Sequence, residues 1–188
     1  MIYIRKRMLG WLCAALAALC MAMPDAKATT LIVRTIEELS QRADAVVRAT
    51  AIDQQSVRKN GAIVTQLTLE VTEKLVGDPP DVLRLWLPGG EIDNLRAHVP
   101  GVVRYHLGDD VIVFLEHLDG EDWRSASLSW SIYTCDGEMA YRSSRDVLGL
   151  SSSANPLLSK ARAVQIEHDH ALPIQTLRDR ITAIEERP

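Results

Sequence analysis

Cysteine is scarce in this chain of 188 residues. Of its three cysteines, Cys13 and Cys20 fall in an N-terminal stretch that reads as a leader, which leaves Cys135. A lone thiol excludes an intramolecular disulfide and a cysteine-based zinc site, so stability must come from a buried core. Aromatics are few (5%, with one phenylalanine), and ten glycines and eight prolines are too few for a fibrous or low-complexity chain. No long like-charge run and no second long apolar run occurs, which excludes a polytopic membrane protein. Pro88-Gly89-Gly90 lacks the Lys-Ser/Thr of a phosphate-binding loop, and His-Glu-x-x-His is absent. At 47% hydrophobic and 24% charged, the composition is that of one ordinary globular domain.

The leader is the clearest feature that is present. Arg5, Lys6 and Arg7 precede an uncharged run from Met8 to Met23, then Pro24-Asp25 and the small residues of Ala26-Lys27-Ala28. This is the three-part pattern of a secretory signal peptide over residues 1–28, cleaved after Ala28. The run is short against the about 20 residues that span a bilayer, so cleavage is expected over a retained anchor. Leu19 before Cys20 disfavours lipoprotein processing. The expected product is a single domain, 29–188, exported to the periplasm or secreted and free of the membrane. Loss of Arg5, Lys6, Arg7, Lys27 and Asp25 takes 21 cations to 17 and 25 anions to 24, a net charge of −7. Such an acidic surface repels phosphate backbones, so nucleic acid is not an expected partner.

Periodicity along the remaining chain is mostly two. Thr35 and Glu38 stand in capping-box positions before a short helix over 36–43. Ala45 to Ile52 reads as a strand, and Asn60-Gly61 as a hairpin turn. Ile63, Thr65, Leu67, Leu69 and Val71 alternate with polar neighbours, and Leu83, Leu85 and Leu87 do the same after the Gly77–Pro80 turn. Val111-Ile112-Val113-Phe114-Leu115 is apolar throughout and reads as a central strand. Alternation of Leu128, Trp130 and Ile132 with Ser127, Ser129, Ser131 and Tyr133 predicts a strand with a small polar outer face. Asp136-Gly137 predicts another hairpin, returning through 139–142. Residues 91–107 read as a long surface connection, and 143–160 as irregular. After Pro173, the positions Ile174, Leu177, Ile181 and Ile184 mark one face of a C-terminal helix. The expected fold is mainly β: an antiparallel OB-like barrel of about six or seven strands with a helix at each end.

The order Ala43-Asp44-Ala45-Val46-Val47-Arg48-Ala49, then Lys74-Leu75-Val76-Gly77, then Gly108-Asp109-Asp110-Val111-Ile112-Val113-Phe114-Leu115 resembles exported bacterial proteins of unknown function. It is also similar to the OB-type barrel of netrin-like modules and tissue inhibitors of metalloproteinases. The resemblance spans residues 43–118 and implies a fold more than an activity. Those inhibitors chelate a protease zinc through a mature N-terminal cysteine. Here the expected first residue is Thr29, so that chemistry does not carry over.

Candidate chemistry is sparse. His168 and His170, two apart, are potential metal ligands without an evident third, and the simpler reading of His168-Asp169-His170 is a solvated loop. Cys135 stands beside Asp136 and Glu138, which disfavour a thiolate. Gly149-Leu150-Ser151-Ser152-Ser153 lacks the final glycine of a nucleophile elbow. Trp86, with Arg84 and the Gly89-Gly90 segment, forms a candidate ligand contact, since strand-face aromatics serve this way in OB barrels; the competing reading packs Trp86 under the last helix or the 91–107 connection. The expectation is a non-catalytic binding module without cofactor or metal, contacting another exported protein through its loops. A modulator of a secreted protease, and a small hydrolase using a metal on His168 and His170, are the alternatives.

Overall fold

Helix α1 starts where its capping box places it. A computed structural model describes residues 34–99, 101–118, 120–143 and 168–185. In it the Glu38 amide donates to Thr35 Oγ1 and the Thr35 amide to the Glu38 carboxylate, at 3.3 and 3.1 Å. The helix covers Ile36–Ser40, shorter than the spacing predicts, and turns Ile36 and Leu39 inward. Residues 1–28, the serine-rich stretch beyond Ser143 and the Gly149–Ser153 segment lie outside the described residues.

Among the described residues ten strands follow: β1 (Ala45–Lys59), β2 (Ala62–Val76), β3 (Val82–Pro88), β4 (Gly90–Ile92), β5 (Leu95–Ala97), β6 (Asp110–His117), β7 (Asp122–Ser125), β8 (Ile132–Asp136), β9 (Met139–Arg142) and β10 (Ala171–Pro173). Helix α2 (Ile174–Glu185) is the last of the described elements. The protein is thus mainly β with a short helix before the strands and a longer one after them. β1 and β2 form a hairpin through Asn60-Gly61, with register shifts at three places in β1 that bend it. β2 continues to β3. β3 pairs with β7 in parallel, and β7 with β6 antiparallel. β6 then pairs with β1 from Ala45↔Leu115 to Thr50↔Asp110, so the ladder β1–β2–β3–β7–β6 returns to its first strand. β8, β9 and β10 extend from the other edge of β6.

Two buried clusters explain the residue patterns. The first draws on every strand of the circuit, with Val47, Ala49, Leu67, Leu69, Leu85 and Val113 among its members. The second lies on the opposite face of β1 and β6, where Val46, Ile112 and Phe114 meet α1, α2, Trp130 and Tyr133. β6 is apolar at every position from 111 to 115 because both of its faces are covered. Leu177 and Ile181 of α2 are fully buried there, as the helical spacing predicts.

Three expectations are corrected. Residues 128–131 form a 3-10 turn, not a strand, and Ser129, Ser131 and Tyr133 are buried instead of forming an outer face. Ser131 Oγ accepts from the Ser127 amide and donates to the Leu128 carbonyl, both at 3.0 Å, so local side-chain bonds outcompete the strand. The second hairpin turns at Gly137-Glu138, one residue later than the Asp-Gly pair suggests, since Asp136 still pairs with Met139. The first part of the 91–107 connection is a small β4–β5 hairpin.

Candidate functional site

The Gly89-Gly90 segment is built by close approach. A Cβ on Gly90 would lie 2.4 Å from Ser56 Oγ and 2.5 Å from Thr65 Oγ1, and one on Gly89 would lie 2.7 Å from the Ala97 carbonyl oxygen. Both residues have positive φ (89° and 141°), a second reason for glycine. The hydroxyls fix the segment: Thr65 Oγ1 donates to the Gly89 carbonyl at 2.8 Å, Ser56 and Thr65 oxygens share a bond of 3.1 Å, and the Glu91 amide donates to Ser56 Oγ at 3.2 Å. Thr65 sits at a core-facing position of β2, so a strand-interior threonine becomes the anchor of the loop that follows β3.

That anchoring holds β4–β5 over the end of the β1–β2 hairpin and opens a cleft of about 240 Å³ against residues 98–99 and 102–106. Leu87, Val102 and Val103 give it apolar wall, and Arg96, His98, Arg104 and His106 give it positive or protonatable groups. Glu91 also lines it, but is held by Arg96 across the hairpin, with Nη2 at 2.8 Å and Nε at 3.0 Å from one carboxylate oxygen. Arg104 and His98 are exposed and make no side-chain hydrogen bond or ion pair among the described residues. His106 Nδ1 stands 3.6 Å from Asp109. Tyr105, between two exposed residues, is buried; its hydroxyl has no hydrogen-bond partner among the described residues, and burial pushes its pKa well above the usual tyrosine value.

The four proposed contact residues therefore separate. Gly89 and Gly90 line the cleft. Trp86 and Arg84 belong to the other face of β3, because Leu83, Leu85 and Leu87 take the buried positions. Trp86 is half-buried, and Lys59 Nζ covers its ring at 3.9 Å from the centroid. Arg84 binds Glu121 at 2.5 Å and lies 3.8 Å from Asp122, which also meets Lys59 at 3.5 Å. Trp86 is thus set in a surface charge network, and its partner is a lysine rather than α2.

The His168-Asp169-His170 segment is not a solvated loop. Asp169 is fully buried, with Oδ1 accepting from Arg180 Nη1 at 2.6 Å and Oδ2 4.0 Å from Arg142. Arg142, 2% exposed, donates to the Trp130 carbonyl and the Tyr133 hydroxyl, and its guanidinium lies 4.4 and 4.6 Å from those two ring centroids. Arg180 also binds Glu37 of α1 at 2.6 Å. Burial pushes the Glu37 carboxyl up, but its backbone hydrogen bond and Arg180 outweigh this and leave it below the usual value. Four charges thus tie β9, the segment before β10, α2 and α1 together. His168 is exposed, and His170 meets the Trp130 ring edge-on at 5.4 Å. Among the described residues no group of three or more His, Cys, Asp or Glu is placed to hold a metal. Arg142 was missed by sequence reasoning; its one signal is a charged residue on the short return strand of a hairpin, after Met139, Ala140 and Tyr141.

Cys135 is partly buried. Burial, then the charge of Asp110, pushes its thiol up to about 11 against the smaller opposing pull of Arg48 and Arg178. It is a poor nucleophile at neutral pH.

No family model matches the chain, and no curated protein matches it either.

Proposed function

We propose that this chain is an exported, non-catalytic binding protein on a five-stranded OB-type barrel, and that it contacts another exported protein through the cleft between Gly89-Gly90, the β4–β5 hairpin and residues 98–99 and 102–106. The ladder that returns to β1, with β3 and β7 parallel, supports the barrel and with it the resemblance to netrin-like modules. The leader pattern of residues 1–28 supports export. One observation carries the choice of surface: the hydroxyls of Ser56 and Thr65 fix the Gly89-Gly90 segment onto β1 and β2, and that segment lines a shaped, partly apolar recess together with the exposed cation Arg104. A recess that the fold holds open this way is preorganised for a partner. Its serine and threonine hydroxyls, Ser56 and Thr65, are spent on backbone groups of the loop, and burial disfavours ionisation of the Tyr105 phenol, which favours recognition over chemistry.

The test is a footprint. The protein, expressed from its full reading frame and purified as it accumulates, is mixed with the exported fraction of the same cell. Hydrogen exchange is then read on the captured complex. Protection confined to residues 89–106, lost with capture in the Arg104→Glu variant, is the expected result. Capture that protects the outer face of β3 around Trp86, or that survives Arg104→Glu unchanged, overturns the assignment.

A further inference from the structure

We infer that the cleft takes an acidic side chain, aspartate or glutamate, from an extended segment of a protein partner; this rests on the binding reading above and names the chemistry of its ligand. The chain as a whole is acidic, with net charge −4. The cleft runs against that balance. Its lining carries Arg96, Arg104, His98 and His106, against the single carboxylate of Glu91. Arg96 and Glu91 neutralise each other across the hairpin. His106 stands 3.6 Å from Asp109, and what is left is Arg104, with no counter-charge among the described residues, and the exposed His98.

Size and wall chemistry decide which anion fits. At about 240 Å³ the recess falls below the roughly 300–1,000 Å³ of a pocket for a drug-sized ligand. It holds a group of side-chain size, not a cofactor. Leu87, Val102 and Val103 give it apolar wall that a bare inorganic anion would leave uncovered, whereas the methylenes of a glutamate and its neighbours would cover it. Continuation of the partner chain past the recess is open at the rim, where His98 and Arg104 are exposed.

The experiment uses fluorescein-labelled hexaglutamate, read by anisotropy, beside labelled hexalysine and inorganic phosphate. Saturable binding of hexaglutamate is expected, about tenfold weaker in Arg104→Glu, as befits loss of roughly 1.4 kcal/mol. Arg42→Glu reverses an exposed charge on a different part of the molecule, beside Glu116, and should leave the affinity unchanged. Arg104 is exposed, so its variant should keep the far-ultraviolet dichroism of the parent. If it does not fold, Arg104→Gln replaces it, with a weakening of about threefold or more expected. Absence of saturable binding, equal binding by the Arg104 variant, or equal binding of hexalysine overturns the inference. Phosphate displacing the peptide at concentrations where the peptide itself competes would overturn the peptide assignment in favour of a bare anion. An exported partner protecting 89–106 without hexaglutamate binding defeats this inference alone. Hexaglutamate binding with no such partner defeats the exported-protein reading and leaves the cleft chemistry standing.

Discussion

Asp169→Ala should be among the most damaging single changes in this protein. Asp169 is fully buried, and its carboxylate faces two arginines: Arg180 at 2.6 Å and Arg142 at 4.0 Å. Arg142 is itself 2% exposed, so the substitution leaves a guanidinium inside the protein with no carboxylate near it. Breaking one side of a buried ion pair costs about 3–5 kcal/mol, because the surviving charge keeps its desolvation penalty. Against a total stability of roughly 5–15 kcal/mol that is a large share, and at about 2–4 °C per kcal/mol it shifts Tm by about 6–20 °C. Arg142→Met behaves differently. It removes the charge, keeps much of the volume between Trp130 and Tyr133, and leaves Asp169 with Arg180. Its cost is the loss of the donor to the Trp130 carbonyl and the Tyr133 hydroxyl, about 1–3 kcal/mol. The double variant should then cost less than the sum of the singles, with a coupling of at least about 1 kcal/mol. Urea unfolding followed by tryptophan fluorescence measures all three, since Trp130 sits against the guanidinium. An Asp169→Ala cost below about 1 kcal/mol, or a strictly additive cycle, would refute the reasoning.

Gly90→Ala puts a methyl 2.4 and 2.5 Å from the Ser56 and Thr65 hydroxyls at a φ of 141°, and should destabilise by about 1–3 kcal/mol while weakening any ligand of the cleft; a neutral result in urea unfolding would show that the segment is free to shift. Cys135, with its thiol pushed up to about 11, should alkylate at pH 8 roughly two orders of magnitude more slowly in the native protein than after denaturation, with the native rate climbing until pH reaches about 11. A native rate that levels off near pH 8.5, followed by mass spectrometry of iodoacetamide labelling, would show the thiol in an ordinary aqueous setting.

Local rules carried much of the fold. Thr35 and Glu38 act within one turn of chain, and their capping bonds form as the residue types require. The alternation of β2 and β3 and the apolar run of β6 state how many faces each strand buries, a property of the strand alone. What was not legible depends on partners far along the chain. The serines at 127, 129 and 131 fit period two on paper, yet the hydroxyl of Ser131 bonds backbone three and four residues back and closes a turn, and a hydrophobicity pattern does not register a hydroxyl's choice of partner. The parallel pairing of β3 with β7 joins Arg84 to Asp122, and no short-range signal encodes it. The site follows the same division. Gly89-Gly90 announced a special backbone, but the reason for it, Thr65 of β2, is 24 residues away. Asp169, flanked by two histidines, drew attention to its neighbours as metal ligands, when the aspartate itself is the residue the fold uses. Its meaning depends on Arg142 and Arg180, which sit 27 residues before it and 11 after. A buried charge is a statement about what surrounds it, and the surroundings here are assembled by the sheet extension β8–β9–β10 and by α2. The same logic gives the cleft its sign: Arg104 is one cation among 21 in the sequence, and it becomes distinctive only once Glu91 has been claimed by Arg96.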